Sequence, residues 1–343
     1  MKIGPYDTDK EVFVIAETGP AHDGNFLRAK QMIQDAAEAG AHAIKFQTYK
    51  GEKLITDEVL PLPHMRHLFK TQRDRFQSLE FSKEQWLELI KYAKAQGIIF
   101  LSSCWDEDSL ELIDPHVPAH KIGSGDLTNI PLIRKIIAKG KPVIISTAMA
   151  STDEIKKVAA EFKNPAQLAL LHCVAGYPGT PDNQNNLKSI MYLQKQFPQI
   201  TIGYSDHTPG PLASLTATAM GARIIEKHFT YNMNLKHGDH PHSLDKQSFA
   251  KLVADIKRVN DMLGEEKKEI LPIERETNKI GFLRRSLFAA REIKAGDKLT
   301  EKDIIALRPG DKEISPLDWD RVIGKKLKRD YKQEEPLSWK DLE

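Results

Sequence analysis

The stretch that begins at Ile202 decides the fold: IGYSDH (Ile202–His207), a helical run, IIEKHF (Ile224–Phe229), then the polar segment GDHPHS (Gly238–Ser243). Two short apolar runs, Thr201–Tyr204 and Ala222–Ile225, have the character of buried strands. Each leads at once into charged or metal-capable groups, Asp206 and His207 after the first and Glu226, Lys227 and His228 after the second. In a parallel α/β barrel, side chains at the carboxyl ends of neighbouring strands converge on one mouth. His207 and His228, 21 residues apart, then face one another across adjacent strands. Paired imidazoles suit a divalent metal. Asp239 and His240 follow in a loop able to fold over the same mouth. Two hydrogen-bonded strand-end histidines without a metal are the plainer alternative, and spacing alone leaves both readings open.

Upstream, the same pattern repeats. VFVIAE (Val12–Glu17) stops at a glycine-containing turn, Gly19–Gly24, before a helical stretch over Leu27–Ala39. Ala43–Phe46 is the next strand candidate, with Lys45 and Gln47 at its end. The segment from Thr48 to Ser82, with Pro61, Pro63, His64, Arg66 and His67, is too long for a passive connection and reads as a lid or insertion. Strands IIFLSS, HKIGSGD, PVIISTA and QLALLHC then alternate with helices over Lys83–Gln96, Asp108–Ile113, Ile130–Ala138 and Ser151–Phe162. The last of these helices opens on a Ser151–Glu154 capping box. Eight strand candidates, closed by an amphipathic helix over Asp245–Leu263, within about 260 residues, is the count and length of a (β/α)8 TIM barrel. An open doubly wound sheet would need a GxGxxG phosphate turn, which the sequence lacks.

The pattern changes at Gly264. Residues 1–264 read as the barrel, 265–283 as a charged linker, and 284–343 as a small, mostly β domain with β-like pieces SLFAA, DIIALRP and RVIGKKL. A domain of about 60 residues is near the lower limit for independent folding, so it is expected to lean on a barrel. With 40% hydrophobic and 29% charged residues and a formal charge of +2, the 343-residue chain carries no field that would favour nucleic acid or an acidic membrane. The start, MKIGPYDTDK, is polar, and no apolar run is long enough to cross a bilayer, which makes a cytoplasmic location the default expectation. Cys104 and Cys173 lack a CxxC partner and read as buried free thiols.

Lysines at strand ends require a reason, because a desolvated ammonium needs an anion or a covalent task. Lys45 and Lys121, with the hydroxyls of Ser124, Ser146, Thr147 and Ser205, would make a pocket for a phosphate or carboxylate. Internal salt bridging of Lys45 or Lys227 to Glu17 or Glu226 is the competing account. Glu17 and Glu226 are the carboxylates best placed for general acid or base work. Tyr177, in GYPGTP, offers a phenol to a ligand; His22 either contacts substrate or caps a helix, and His172 reads as a core histidine.

IAETGPAHDG, AIKFQT, KIGSGD, VIISTAMAS, LLHCVAGYP, IGYSDHTPG and IIEKHFT, in this order, resemble the sialic acid synthase family. The segment from Arg284, RRSLFAAREIKAGDKLT, resembles that family's antifreeze-like SAF domain. The resemblance implies condensation of phosphoenolpyruvate with an N-acetylated amino sugar, giving a nine-carbon ulosonic acid and phosphate. It implies His207 and His228 as ligands of Mn2+ or Mg2+, and Lys45, Lys121, Ser124, Ser146 and Ser205 around phosphoenolpyruvate. Glu17, Gln47, Tyr177 and Asp239 would face the sugar, with Glu226 as a proton carrier beside the metal. It further implies a domain-swapped homodimer, in which Arg285 reaches the partner's barrel to bind the sugar acyl group. Ala21, Ser103-Cys104-Trp105 and Ala175 depart from the family's spelling, each removing a polar contact expected at the mouth, and a relative of the spore-coat polysaccharide type fits the Cys-Val-Ala spelling before Tyr-Pro. A metal-dependent hydrolase on the same barrel and a non-catalytic carbohydrate-binding relative are the rival readings.

Overall fold

The computed structural model describes residues 1–61, 66, 68–176, 179–279 and 283–343, with backbone alone at 278 and 279. The chain divides into two compact units, Met1–Gly264 and Glu265–Glu343.

The first unit opens with a hairpin, β1 (Lys2–Ile3) and β2 (Tyr6–Asp7), unmarked in the polar opening sequence. Eight parallel strands then close into a barrel: β3 (Phe13–Glu17), β4 (Ala43–Thr48), β5 (Ile99–Cys104), β6 (His120–Ile122), β7 (Val143–Ser146), β8 (Leu168–Cys173), β9 (Thr201–Asp206) and β10 (Ile224–His228). The order follows the sequence, and β10 completes the ring by pairing with β3, His228 opposite Glu17. These strands are apolar on both sides because one side fills the barrel and the other meets the helices.

The helices are α1 (Phe26–Glu38), α2 (Gly51–Leu54), α3 (Gln72–Gln77), α4 (Lys83–Ala95), α5 (Glu107–Ile113), α6 (Ile130–Ala138), α7 (Thr152–Ala159), α8 (Lys188–Gln196), α9 (Leu212–Ala219) and α10 (Lys246–Leu263). Their starts are chemically marked. Asn25 caps α1, Ser82 and Ser151 close capping boxes with Gln85 and Glu154, and Asp245 caps α10 by accepting the Ser248 amide at 2.9 Å. The stretch read as a lid or insertion holds α2 and α3; Pro63, His64 and His67 lie outside the described residues.

One glycine is dictated by the closing of the ring. A Cβ at Gly203 in β9 would overlap the Ile224 carbonyl and lie 2.9 Å from Ile224 Cβ, both on the neighbouring strand. Gly203→Ala is therefore expected to cost about 1–3 kcal/mol through overpacking, read as a lowered urea midpoint of the barrel transition. An unchanged midpoint would show that β9 and β10 can part at no cost.

The second unit contains α11 (Pro272–Lys279), within the stretch read as linker, and an antiparallel pair, β11 (Ser286–Ala289) and β12 (Ile304–Leu307). RVIGKKL is not a strand: α12 (Trp319–Val322) runs into it, and only single bridges at Lys326 and Leu327 follow. The unit has its own apolar core, including Leu287, Ile293, Leu299, Ile314, Val322 and Leu337.

Candidate metal and anion site

Strand parity sorts the candidate residues. In β10 alternate side chains point to opposite faces, so Glu226 and His228 share one face and Lys227 takes the other. Lys227 accordingly lies 3.3 Å from Asp206 Oδ2 and donates to the Thr208 carbonyl; the same carboxylate accepts the Ser214 hydroxyl of α9 at 2.5 Å. This buried pair joins barrel to helix, and Lys227 pairs with neither Glu17 nor Glu226. Lys141 is likewise structural, 3.0 Å from Asp114 Oδ1.

Glu226 faces the mouth between two lysines, with Oε2 3.7 Å from Lys45 Nζ and Oε1 3.6 Å from Lys121 Nζ; Ser205 donates to Oε1 at 2.9 Å. Lys45 also lies 2.6 Å from Glu17 Oε2 and donates to Ser103 Oγ at 3.3 Å. Lys121 donates to Ser146 Oγ at 2.7 Å. Both anion-pocket lysines are thus themselves ion-paired, in a set of two ammoniums and two carboxylates, all buried. Their charges are unevenly held. Burial raises the Glu17 carboxyl to about 7 against the pull of Lys45, with Glu226 adding to the rise. Glu226 pays the same burial, but Lys121 and Lys45 outweigh it and hold its carboxyl below the ordinary value. Burial lowers Lys121, whereas at Lys45 the two carboxylates overcome burial and raise it. Gln47 donates to Glu17 Oε1 at 2.9 Å, as does the Gly19 amide at 3.1 Å.

Ser124 Oγ accepts the Ala148 amide at 3.0 Å, which places it in the turn after β6 beside the β7 end. Thr147 is a structural hydroxyl, donating to the Leu171 carbonyl at 2.9 Å.

At the other side of the mouth, Nε2 of His207 and Nε2 of His228 are 3.3 Å apart. A third imidazole, His242, completes a buried cluster whose candidate ligand atoms all lie within 4.8 Å of one another. Burial lowers both His207 and His228, and at His228 the neighbouring histidines add to the fall, so neutral, ligating imidazoles are favoured. Cys173 Sγ is a partner of His207 Nδ1 at 3.5 Å, whereas Asp239 Oδ2 lies 3.5 Å from His228 Nδ1 without a hydrogen bond between them. Asp239 itself is pushed up to about 6 by burial. Its approach explains Gly19, whose φ is +50° and where a Cβ would sit 2.6 Å from Asp239 Oδ2.

His242 is the residue that reading the sequence missed. HPH in a polar loop carries no strand signal; its one clue was that this loop was expected to fold over the mouth. Tyr177 lies outside the described residues. Arg285 belongs to the second unit, where its exposed guanidinium donates to the Ala306 carbonyl at 3.1 Å. His22 is buried, its Nδ1 accepting the Gly24 amide at 3.1 Å, and His172 Nε2 is 2.9 Å from the Asn185 carbonyl oxygen. Both cysteines are buried and free.

The sequence matches the NeuB family over residues 32–268 and the SAF domain over residues 284–343. The chain belongs to the NeuB family. This NeuB-family chain is 34% identical over 352 residues to N,N'-diacetyllegionaminic acid synthase of Legionella pneumophila, covering 99% of this chain and 97% of that protein. It is 38% identical over 322 residues to N-acetylneuraminate-9-phosphate synthase of Mus musculus, covering 92% and 88%. Among solved structures, a putative spore coat polysaccharide biosynthesis protein E from Chromobacterium violaceum matches with a TM-score of 0.78 at 27% identity, covering 97% of this chain and 100% of that one. Both sequence relatives are synthases by name, and the NeuB-family chain is an enzyme of that kind.

Of its departures from the family spelling, Ala21 and Cys104 are buried, and Trp105 stacks on Tyr49 with centroids 4.8 Å apart. Among the described helices none is long and apolar enough to cross a membrane.

Proposed function

We propose that this NeuB-family enzyme condenses phosphoenolpyruvate with an N-acylated amino sugar, N-acetylmannosamine or a related diacetamido hexose, to give a nine-carbon ulosonic acid and phosphate. The observation that carries the reading is one strand, β10, presenting Glu226 to the two buried lysines and His228 to the imidazole cluster, so that an anion site and a cation site share one mouth. Neutral, buried imidazoles fit a divalent ion. His207, His228 and His242 would hold it. When bound, the ion supplies Lewis acidity toward the sugar aldehyde.

The chain's own residues do the rest. Lys45, Lys121 and Ser146 bind the phosphate and carboxylate of phosphoenolpyruvate, with Ser124 and Ser205 at the edges of the same pocket. Gln47 and Asp239 face the sugar, and Tyr177 is assigned to it as well. Glu17, poised near 7, holds or releases a proton without large cost at neutral pH. Glu226 keeps the lysines charged and stands next to the proton traffic. C3 of phosphoenolpyruvate bonds to the aldehyde carbon, whose oxygen takes a proton. Water adds at C2 with loss of a proton, and the tetrahedral intermediate expels phosphate by C–O cleavage. Holding both reactants in contact contributes on the order of 7–11 kcal/mol in well-aligned cases.

Phosphate should be released only when phosphoenolpyruvate, Mn2+ and an acylamino sugar are all present, and the bridging oxygen of labelled phosphoenolpyruvate should leave with the phosphate. Release without sugar would favour a hydrolase. No release across a panel of mono- and diacetylated hexosamines would favour a carbohydrate-binding protein.

We also propose that Arg285, exposed at the start of the SAF domain, binds the sugar acyl group in a partner's barrel within a homodimer. Mixing inactive Arg285→Ala and His207→Ala subunits should restore activity on exchange, because a mixed dimer has one site with both defects and one with neither. A mixture that forms mixed dimers yet stays inactive would end the proposal.

A further inference from the structure

The loop that follows β10 approaches the turn after β3 at a second place, through residues distinct from the His207–His228–His242 cluster. There, Asp23, His237 and His240 offer three ligand atoms that all lie within 4.8 Å of one another. His237 Nε2 is 3.5 Å and His240 Nε2 3.7 Å from the same oxygen, Asp23 Oδ1. Ligands held about 2.0–2.1 Å from a tetrahedral ion are themselves about 3.3–3.4 Å apart, so the two separations from Asp23 need only a small contraction, and the imidazole nitrogens lie within 4.8 Å of one another.

The outer contacts are arranged as they are around a metal ligand set. Asp23 Oδ2 is engaged elsewhere, accepting from Arg28 Nη1 at 2.7 Å and from the Tyr231 hydroxyl at 3.1 Å, while Oδ1 is turned to the two imidazoles. The other nitrogen of His240, Nδ1, is 2.7 Å from Thr230 Oγ1. A proton donated from Nδ1 to that hydroxyl leaves a lone pair on Nε2, facing Asp23. An Asp23–Arg28 ion pair alone accounts for Oδ2 but gives no reason for two imidazoles to share Oδ1. His237 is 43% exposed, so a water can complete the shell.

We propose that Asp23, His237 and His240 form a second cation site, separate from the mouth cluster, that takes a zinc-class ion through two imidazoles and one carboxylate. The ion ties the turn after β3 to the loop after β10. That loop also carries Asp239 and His242, so the second site braces it.

The test uses tag-free, full-length protein, stripped with a chelator and titrated with Co2+ and with Zn2+. The wild type should take up two equivalents, and His237→Ala only one. A His207→Ala/His228→Ala double variant should retain one equivalent with the absorption bands of tetrahedral Co2+, and adding His237→Ala to it should remove that equivalent. If the double variant proves unfolded by circular dichroism, the single His237→Ala stoichiometry decides, since that side chain is on an exposed loop. Unchanged stoichiometry in His237→Ala, or a folded double variant that binds no Co2+, overturns the proposal.

Discussion

His228→Ala should reduce turnover by about a thousandfold or more while leaving the fold intact, a loss equivalent to about 4 kcal/mol in the barrier. The side chain closes no core gap: it points into the mouth, where its Nε2 meets that of His207 and Asp239 Oδ2 lies 3.5 Å from its Nδ1. What disappears is a donor atom for the ion proposed to polarise the aldehyde. Metal content, measured on the purified variant, should fall together with activity, and a chelator should inhibit the wild type in the same way. His242→Ala provides the graded comparison. If it is a ligand, it weakens metal retention; if it only lines the mouth, metal content stays at the wild-type level. A His228→Ala enzyme that keeps its metal and most of its turnover would remove the imidazole cluster from the mechanism.

The second large effect is on stability. Glu226→Ala should destabilise the barrel by about 3–5 kcal/mol, because it leaves Lys45 and Lys121 buried with one carboxylate between them. The Ser205 hydroxyl would lose its acceptor as well. The denaturant midpoint of the barrel transition is the measurement, and removing one lysine together with the glutamate should recover part of the loss. If Glu226→Ala is as stable as the wild type, the lysines are already neutral and the charge network drawn here is wrong.

The barrel was legible in the sequence because most barrel strands are short apolar runs that end in polar groups, HKI of β6 being the exception, and helix starts such as Ser151–Glu154 and Asp245 are chemically marked. Most of the mouth followed from the same rule. Lys227 shows where it stops: IIEKH names three candidate groups, and parity along the strand assigns the middle one to the helix side, where only the fold supplies Asp206 as its partner. The competition between anion binding and salt bridging at Lys45 could not be resolved by sequence, since both depend on the same few ångströms between strands distant in the chain. His242 was hidden because its role arises from loop placement, which has no periodicity to read. RVIGKKL misled for the opposite reason, its Val322 ending a helical turn and Ile323 following as that helix's cap.

The pairing of His228 with Glu17 has a consequence for how the enzyme comes into being. Glu17 is on the first barrel strand and Glu226 and His228 are on the last, and these strands are neighbours only at the seam that closes the ring. A chain with seven strands in place lacks Glu226 and His228, and with them part of the proposed site. The seam is also the contact of longest sequence separation in the barrel, and such contacts close late because the intervening loop must first be drawn together. Ring closure is then the step that brings Glu226 and His228 to the groups of the earlier strands, so activity should appear only in chains that have closed the barrel.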